Sequence, residues 1–152
     1  YHIVRISAII SQFNRIMSGP MKYDIAHDIY DASLLHTSLD VHLVCAIITY
    51  ETNGTWNPEL ISSEGAMGLM QVMPRDGLAS SFMCINGPCF SNRPSIEELE
   101  DPQYNVSYGT KMLAELVQKK GDLREALRSY GPMDVGYSYA DTVLALYERY
   151  GR

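Results

Sequence analysis

One carboxylate is set apart by its position. Val41, Val44, Cys45 and Ile48 recur three and four residues apart, which in a helix places them on one face, and the same stripe reaches Glu51 one turn later. A carboxylate at the end of an apolar stripe is costly to ionise unless it is partnered. Desolvation would raise its pKa, which suits a general acid working near neutral pH. A glutamate at a helix end can equally bend into solvent, and helix geometry alone does not separate the two. Downstream, the run from Gly65 to Pro74 (Gly-Ala-Met-Gly-Leu-Met-Gln-Val-Met-Pro) mixes small and apolar residues with a single amide. Gly65, Ala66 and Gly68 would let backbone approach a ligand closely. Gln71 offers both a donor and an acceptor to an acetamido or hydroxyl group. A tight turn leading into a core helix has the same composition.

These residues need a scaffold, and the apolar periodicity supplies a helical one. An amphipathic helix is expected over Tyr1–Met17, ended by a break at Ser18-Gly19-Pro20, and a second over Tyr23–Leu35. Ser38 caps a third helix, Leu39–Glu51, which is apolar around most of its circumference and therefore belongs in the centre of a domain. Thr52–Ser63 is irregular, with room for a short hairpin. A short helix is expected over Met67–Met73, stopped by Pro74, and Arg75–Pro94 is mostly loop. Ser95-Ile96-Glu97-Glu98 carries a helix-start pattern. Helices follow over Gln103–Lys119, Leu123–Tyr130 and Tyr139–Tyr150, the first two separated by Gly121. The expected class is mainly α: a helical bundle around a central buried helix, with a small β element or irregular loop beside a groove.

Composition narrows the partners. The 152 residues carry a formal net charge of −6, with 46% hydrophobic and 20% charged residues. No basic stripe is available to meet phosphates, which argues against nucleic acid. No apolar run approaches the roughly 20 residues of a membrane span. The first residues do not read as a signal peptide, and a start at Tyr1 rather than Met fits a mature form or a domain cut from a longer chain. Cys45 sits among apolar neighbours and reads as a buried small residue. Cys84 and Cys89 bracket a turn-rich stretch that permits a local disulfide, which would indicate an oxidising compartment. Two cysteines without a nearby histidine do not make a metal site. His2, His27, His36 and His42 are scattered without ligand spacing, so no metal or cofactor is expected.

Glu51, Trp56-Asn57-Pro58, Ser62 and the Gly65–Pro74 run together resemble the signature of the soluble lytic transglycosylases of the lysozyme superfamily. Further on, Asp101-Pro102, Asn105 and Gly109 resemble the segment opening the family's next helix. Gly121-Asp122, Ala126 and Tyr130 resemble the approach to its tyrosine motif, and Tyr139 with Val143 its final helix. The resemblance runs from about Tyr23 to Tyr150. The expected organisation is one lysozyme-like domain over 1–152, with an N-terminal helix and break in 1–20 and the family-like region in 21–152. Three departures stand out: a longer spacer between Glu51 and Trp56, Thr52 where a serine usually follows the glutamate, and a tyrosine motif shortened to Tyr130-Gly131-Pro132.

The resemblance implies that Glu51 is the catalytic acid and then base, and that the substrate is the glycan strand of peptidoglycan. Ser62, Gln71, Tyr130, Met70, Thr52, Trp56 and Tyr139 would form the substrate groove, with Tyr130 beside Glu51; for Trp56, sugar stacking and core packing are equal readings. The implied reaction cleaves the bond between N-acetylmuramic acid and N-acetylglucosamine with closure of a 1,6-anhydro ring. The chain is expected to be a monomer that is secreted, resident in the envelope or periplasm, or phage-encoded and aimed at a host wall. Two rivals remain: a hydrolase like goose-type lysozyme, which would need a second carboxylate such as Glu59, Glu64 or Asp76, and a wall-binding module without activity.

Overall fold

The computed structural model describes residues 1–132 and 135–151. Its helices are α1 (His2–Phe13), α2 (Gly19–Leu35), α3 (Val41–Glu51), α4 (Ile96–Glu100), α5 (Pro102–Lys120), α6 (Leu123–Tyr130) and α7 (Ser138–Tyr150). A two-stranded antiparallel sheet pairs β1 (Met83–Cys84) with β2 (Gly87–Pro88). The fold is of the mainly α, lysozyme-like class. Helix α3 is its axis: it packs against α1, α2 and α7, and Leu43 to Ile48 are buried around its whole circumference. Each of its large aliphatic side chains contributes on the order of 2 kcal/mol by leaving water, which fixes the rod that carries Glu51.

The start and end of α3 have separate causes. Asp40, rather than Ser38, caps the N-terminus, its carboxylate accepting the His42 N–H at 2.7 Å. At the other end the Thr52 N–H bonds to the Ile48 carbonyl, and Asn53 and Gly54 then turn left-handed at φ 52° and 78°. Helix α1 is shorter than its periodicity suggests because the Asn14 side chain accepts from the Met17 N–H and donates to the Thr55 carbonyl, each at 3.0 Å. Ser18-Gly19-Pro20, expected as a break, opens α2: Ser18 Oγ accepts the Met21 N–H and Pro20 occupies the first turn, where its missing N–H costs nothing.

The expected helix over Met67–Met73 does not form. Gly65, Gly68 and Gln71 take φ of 94°, 76° and 50°, and Met67 and Val72 exchange both backbone hydrogen bonds at 2.9 and 3.0 Å. Residues 68–71 thus make a closed turn, and Met67 also pairs with Ile61. Left-handed residues at the turn are incompatible with a continuous right-handed helix. The sheet, in turn, lies in the stretch read as loop, where Cys84 and Cys89 are joined by a disulfide (S–S 2.06 Å).

A buried polar hub ties the end of α3 to the end of α7. Thr49 Oγ1 donates to the Cys45 carbonyl at 2.8 Å, so the Trp56 Nε1–H (3.1 Å) and the Tyr150 hydroxyl (3.0 Å) must both donate to it. One hydroxyl proton and two lone pairs are thereby all used. Arg5 of α1 closes the ring of contacts by donating to the Tyr150 carbonyl at 3.0 Å.

Candidate active site

Glu51 is the last residue of α3 and is largely but not wholly buried. The Tyr139 hydroxyl donates to its Oε2 at 3.0 Å, across 88 positions of sequence. Burial pushes the Glu51 pKa up from 4.5 to about 7, with the Tyr139 hydrogen bond pulling the other way. The carboxyl group is therefore partly protonated near neutral pH and can both give up and take back a proton there.

Tyr139 is wholly buried and held from two sides. Tyr50 meets its ring edge-on at 5.0 Å between centroids, and Tyr130 stacks at 6.5 Å. Burial first, and then the neighbouring Glu51 charge, push the phenols of Tyr130 and Tyr139 well above their ordinary value, so both stay protonated as donors. The Tyr130 hydroxyl donates to the Met70 carbonyl at 2.7 Å, not to Glu51. Gly131 explains how the shortened tyrosine motif is accommodated: a methyl group on its Cα would overlap the Tyr139 ring. Gly131→Ala is expected to destabilise by about 1–3 kcal/mol, the usual range for overpacking, and to depress turnover by displacing Tyr139. Urea unfolding and wall-clearing assays on the same preparation check both, and an unchanged protein would mean that the ring has room to move.

The Gly65–Pro74 turn reaches this centre from the other side. Its organiser is Asn105 of α5, wholly buried, whose Oδ1 accepts the Met70 N–H at 2.8 Å. The Asn105 Nδ2 donates to the carbonyls of Met67 and Leu99 at 2.9 and 3.0 Å. Gly68 is obligatory here, since a side chain would collide with that amide. Gln71 stands at the turn in a left-handed conformation that non-glycine residues seldom take, strain of a kind that gathers at binding sites. Its Nε2 donates to the carbonyls of Leu60 and Gly68 at 3.1 and 2.9 Å, which leaves its carbonyl oxygen for a ligand. Gln71 and Tyr130 both line a cleft of about 620 Å³ together with Met73, Phe90, Arg93 and Tyr108.

Other expected groove residues are placed elsewhere. Trp56 is wholly buried, anchored through its ring nitrogen to Thr49, so it packs the core and offers no face to a sugar. Thr52 is also wholly buried: its hydroxyl donates to the Ile48 carbonyl at 2.7 Å and accepts the Trp56 N–H at 3.0 Å, a hinge for the loop rather than a ligand contact. The Met70 side chain is buried against Gly109, and only its backbone serves the site. Ser62 Oγ accepts the N–H groups of Ala66 and Glu64 at 3.0 and 3.3 Å, closing the loop before the turn. Asn105, Thr49, Tyr50 and Gly131 had no assigned role in the sequence. Asn105 left a signal there, as an amide in line with Val106, Gly109 and Leu113 on the apolar face of α5, and Gly131 as part of the shortened tyrosine motif.

The transglycosylase SLT domain model matches residues 30–135. Over 94 residues the chain is 35% identical to membrane-bound lytic murein transglycosylase E of Buchnera aphidicola, an alignment covering 62% of this chain and 40% of that protein. It is 35% identical over 76 residues to endo-type membrane-bound lytic murein transglycosylase A of Klebsiella pneumoniae, covering 50% and 35%. A transglycosylase of Enterobacteria phage PRD1 is 32% identical over 114 residues, covering 75% and 36%. The chain thus spans well under half the length of these relatives. No solved structure matches it to a significant degree. With the matched segment running from α2 through α6 and enclosing Glu51, the turn and Tyr130, this chain belongs to the transglycosylase SLT domain family.

Proposed function

We propose that this chain cleaves the β-1,4 bond between N-acetylmuramic acid and N-acetylglucosamine in peptidoglycan, leaving 1,6-anhydromuramic ends, with Glu51 as acid and then base. The observation that carries the reading is a glutamate whose surroundings hold it protonated up to a pH of about 7, with a tyrosine donor on one oxygen. Because Oε2 accepts from Tyr139, the acid proton is better placed on Oε1, the atom left to face the glycosidic oxygen. Proton transfer from Glu51 lets the bond between the anomeric carbon and the leaving N-acetylglucosamine oxygen break. The 2-acetamido group then supports the positive charge. The ionised Glu51, steadied by Tyr139, takes the proton of the muramyl 6-hydroxyl as that oxygen bonds to the anomeric carbon. Holding an internal hydroxyl there is a proximity effect, and water is the competitor.

Hydrolysis would call for a second carboxylate to activate water. Glu59 and Glu64 are exposed loop residues, and the Asp76 carboxylate accepts the Ile96 N–H at 2.8 Å, at the start of α4. These positions favour the internal hydroxyl. Mass spectrometry of muropeptides released from purified sacculi tests the choice: anhydro ends support it, and reducing muramic ends would sink it. The relatives' names, membrane-bound or phage, fit action on the cell wall from the envelope or from a phage. The Cys84–Cys89 disulfide fits an oxidising compartment.

Cleavage begins from the protonated acid, so its rate should fall as pH rises through about 7. The Tyr139 bond favours the ionised form, and Tyr139→Phe removes it. The alkaline limb of kcat against pH is therefore expected to move to higher pH, with the maximal rate reduced roughly tenfold as the carboxyl loses its orientation. A limb that stays in place would detach Tyr139 from the acid.

A further inference from the structure

Tyr139 can serve Glu51 only while the first turn of α7 keeps its place, and that helix begins without a side-chain cap. Tyr137 stands at its N-cap position and makes no capping hydrogen bond, and the chain arrives through the left-handed Gly136 (φ 58°). The turn is gripped instead from α6. Arg124 forks onto Asp141, Nε to Oδ1 at 2.9 Å and Nη2 to Oδ2 at 3.1 Å, and its guanidinium lies 4.0 Å from the Tyr137 ring centroid. Arg128 lies 4.7 Å from the same centroid. The Tyr137 hydroxyl donates to Glu125 Oε1, and Arg128 sits 4.0 Å from the other oxygen of that carboxylate. Proton transfer at Glu51 uses none of these side chains.

The helical period shows what the grip holds. Tyr137 and Asp141 are four residues apart and share one face of α7, while Tyr139, two residues from each, lies on the opposite side and is wholly buried. The turn is thus held between α6 on one face and Glu51, at the end of α3, on the other. We infer that Arg124 and Tyr137 are positioning residues for the acid, their clasp setting the approach of the Tyr139 hydroxyl to Glu51 Oε2. The inference rests on the reading of Glu51 as the acid and adds the device that keeps its donor in reach. A two-pronged guanidinium–carboxylate pair stacked on a ring fixes direction as well as distance. Among the described residues, the groups whose charge couples to Glu51 are the phenols of Tyr139 from α7 and Tyr130 from α6.

Tyr137→Leu and Arg124→Lys each break the clasp while keeping the formal charge. The Glu51 pKa, followed by carbon NMR of its side-chain carboxyl, is expected to rise by about half a pH unit in each, because an exposed contact of this kind shifts an equilibrium about threefold. In a Tyr139→Phe background the same changes should add nothing, since the hydrogen bond they act through is gone. The alkaline limb of kcat should move with the pKa, and KM should stay in place because the clasp lies outside the cleft. An unmoved Glu51 pKa in either variant, or a rise that persists without the Tyr139 hydroxyl, overturns the clasp. So does an equal rise in Ser18→Ala, which removes the cap of α2 and only loosens the fold. If the pKa moves as expected but wild-type protein releases no anhydro ends, the clasp stands and the transglycosylase reading falls.

Discussion

Glu51→Gln is expected to abolish clearing of purified cell walls and yet to make the protein harder to unfold at pH 8. An amide cannot donate the proton that starts bond cleavage, so activity should drop by about 10²–10⁴-fold or more. The stability gain follows from linkage. The folded pKa of Glu51 lies at about 7 against an ordinary 4.5, so between those values the folded state binds more proton than the unfolded one. Stability is therefore lost as pH rises through that window, and the full deficit is present above it. At about 1.4 kcal/mol per pH unit, the deficit is at most about 3–4 kcal/mol, and less after allowing for the part of Glu51 that solvent reaches. Gln carries no such penalty. Thermal unfolding of both proteins should show the variant ahead at pH 8 and the gap closed near pH 4. A gap of equal size at both values would mean that Glu51 ionises freely in the fold.

Asn105→Ala is expected to give the largest loss of stability, about 3 kcal/mol, together with loss of activity. Three backbone groups lose their partner at once: the Met70 N–H and the carbonyls of Met67 and Leu99. Each buried, unmade bond costs about 1–3 kcal/mol, and the three are not additive because the turn can relax. Activity should follow, since the same turn carries Gln71 and the Met70 carbonyl that receives Tyr130. Asn105→Asp is a sharper companion: it keeps an acceptor for Met70 but turns a carboxylate toward two carbonyls, and it should be no better than Ala. Urea midpoints decide the matter. A cost below about 1 kcal/mol would show that water replaces the amide and that the turn stands without it.

What could be read in the sequence was the direction of things along one helix. The stripe from Val41 to Ile48 points at Glu51, and the structure buries that stripe. It also opens α5 at Pro102, capped by the Asp101 carboxylate that accepts the Gln103 N–H at 3.0 Å. What could not be read was which distant side chains arrive there. Tyr130 was expected beside the acid, and Tyr139 only in the substrate groove. Only packing of α7 on α3 selects Tyr139 as the partner and sends Tyr130 to Met70. Met67–Met73 misled because its apolar residues suit a helix while its glycines and Gln71 adopt left-handed backbone, a choice enforced from outside by Asn105. Trp56 resolved toward the core for a similar reason. The lengthened spacer folds through the left-handed Asn53 and Gly54, and the indole then reaches back to Thr49, seven residues earlier.

The placement of Glu51 as the final residue of α3 has an electrical consequence as well. Peptide dipoles aligned along a helix leave about half a negative charge at its C-terminal end, which disfavours an anion by about 0.3–1 kcal/mol when exposed and more when partly buried. Burial remains the chief reason that Glu51 keeps its proton, and the pole of the helix acts in the same sense. The rod that positions the carboxyl group thus also repels its ionised form. The same glutamate moved to the first turn would meet the positive pole, give up its proton early, and serve poorly as an acid.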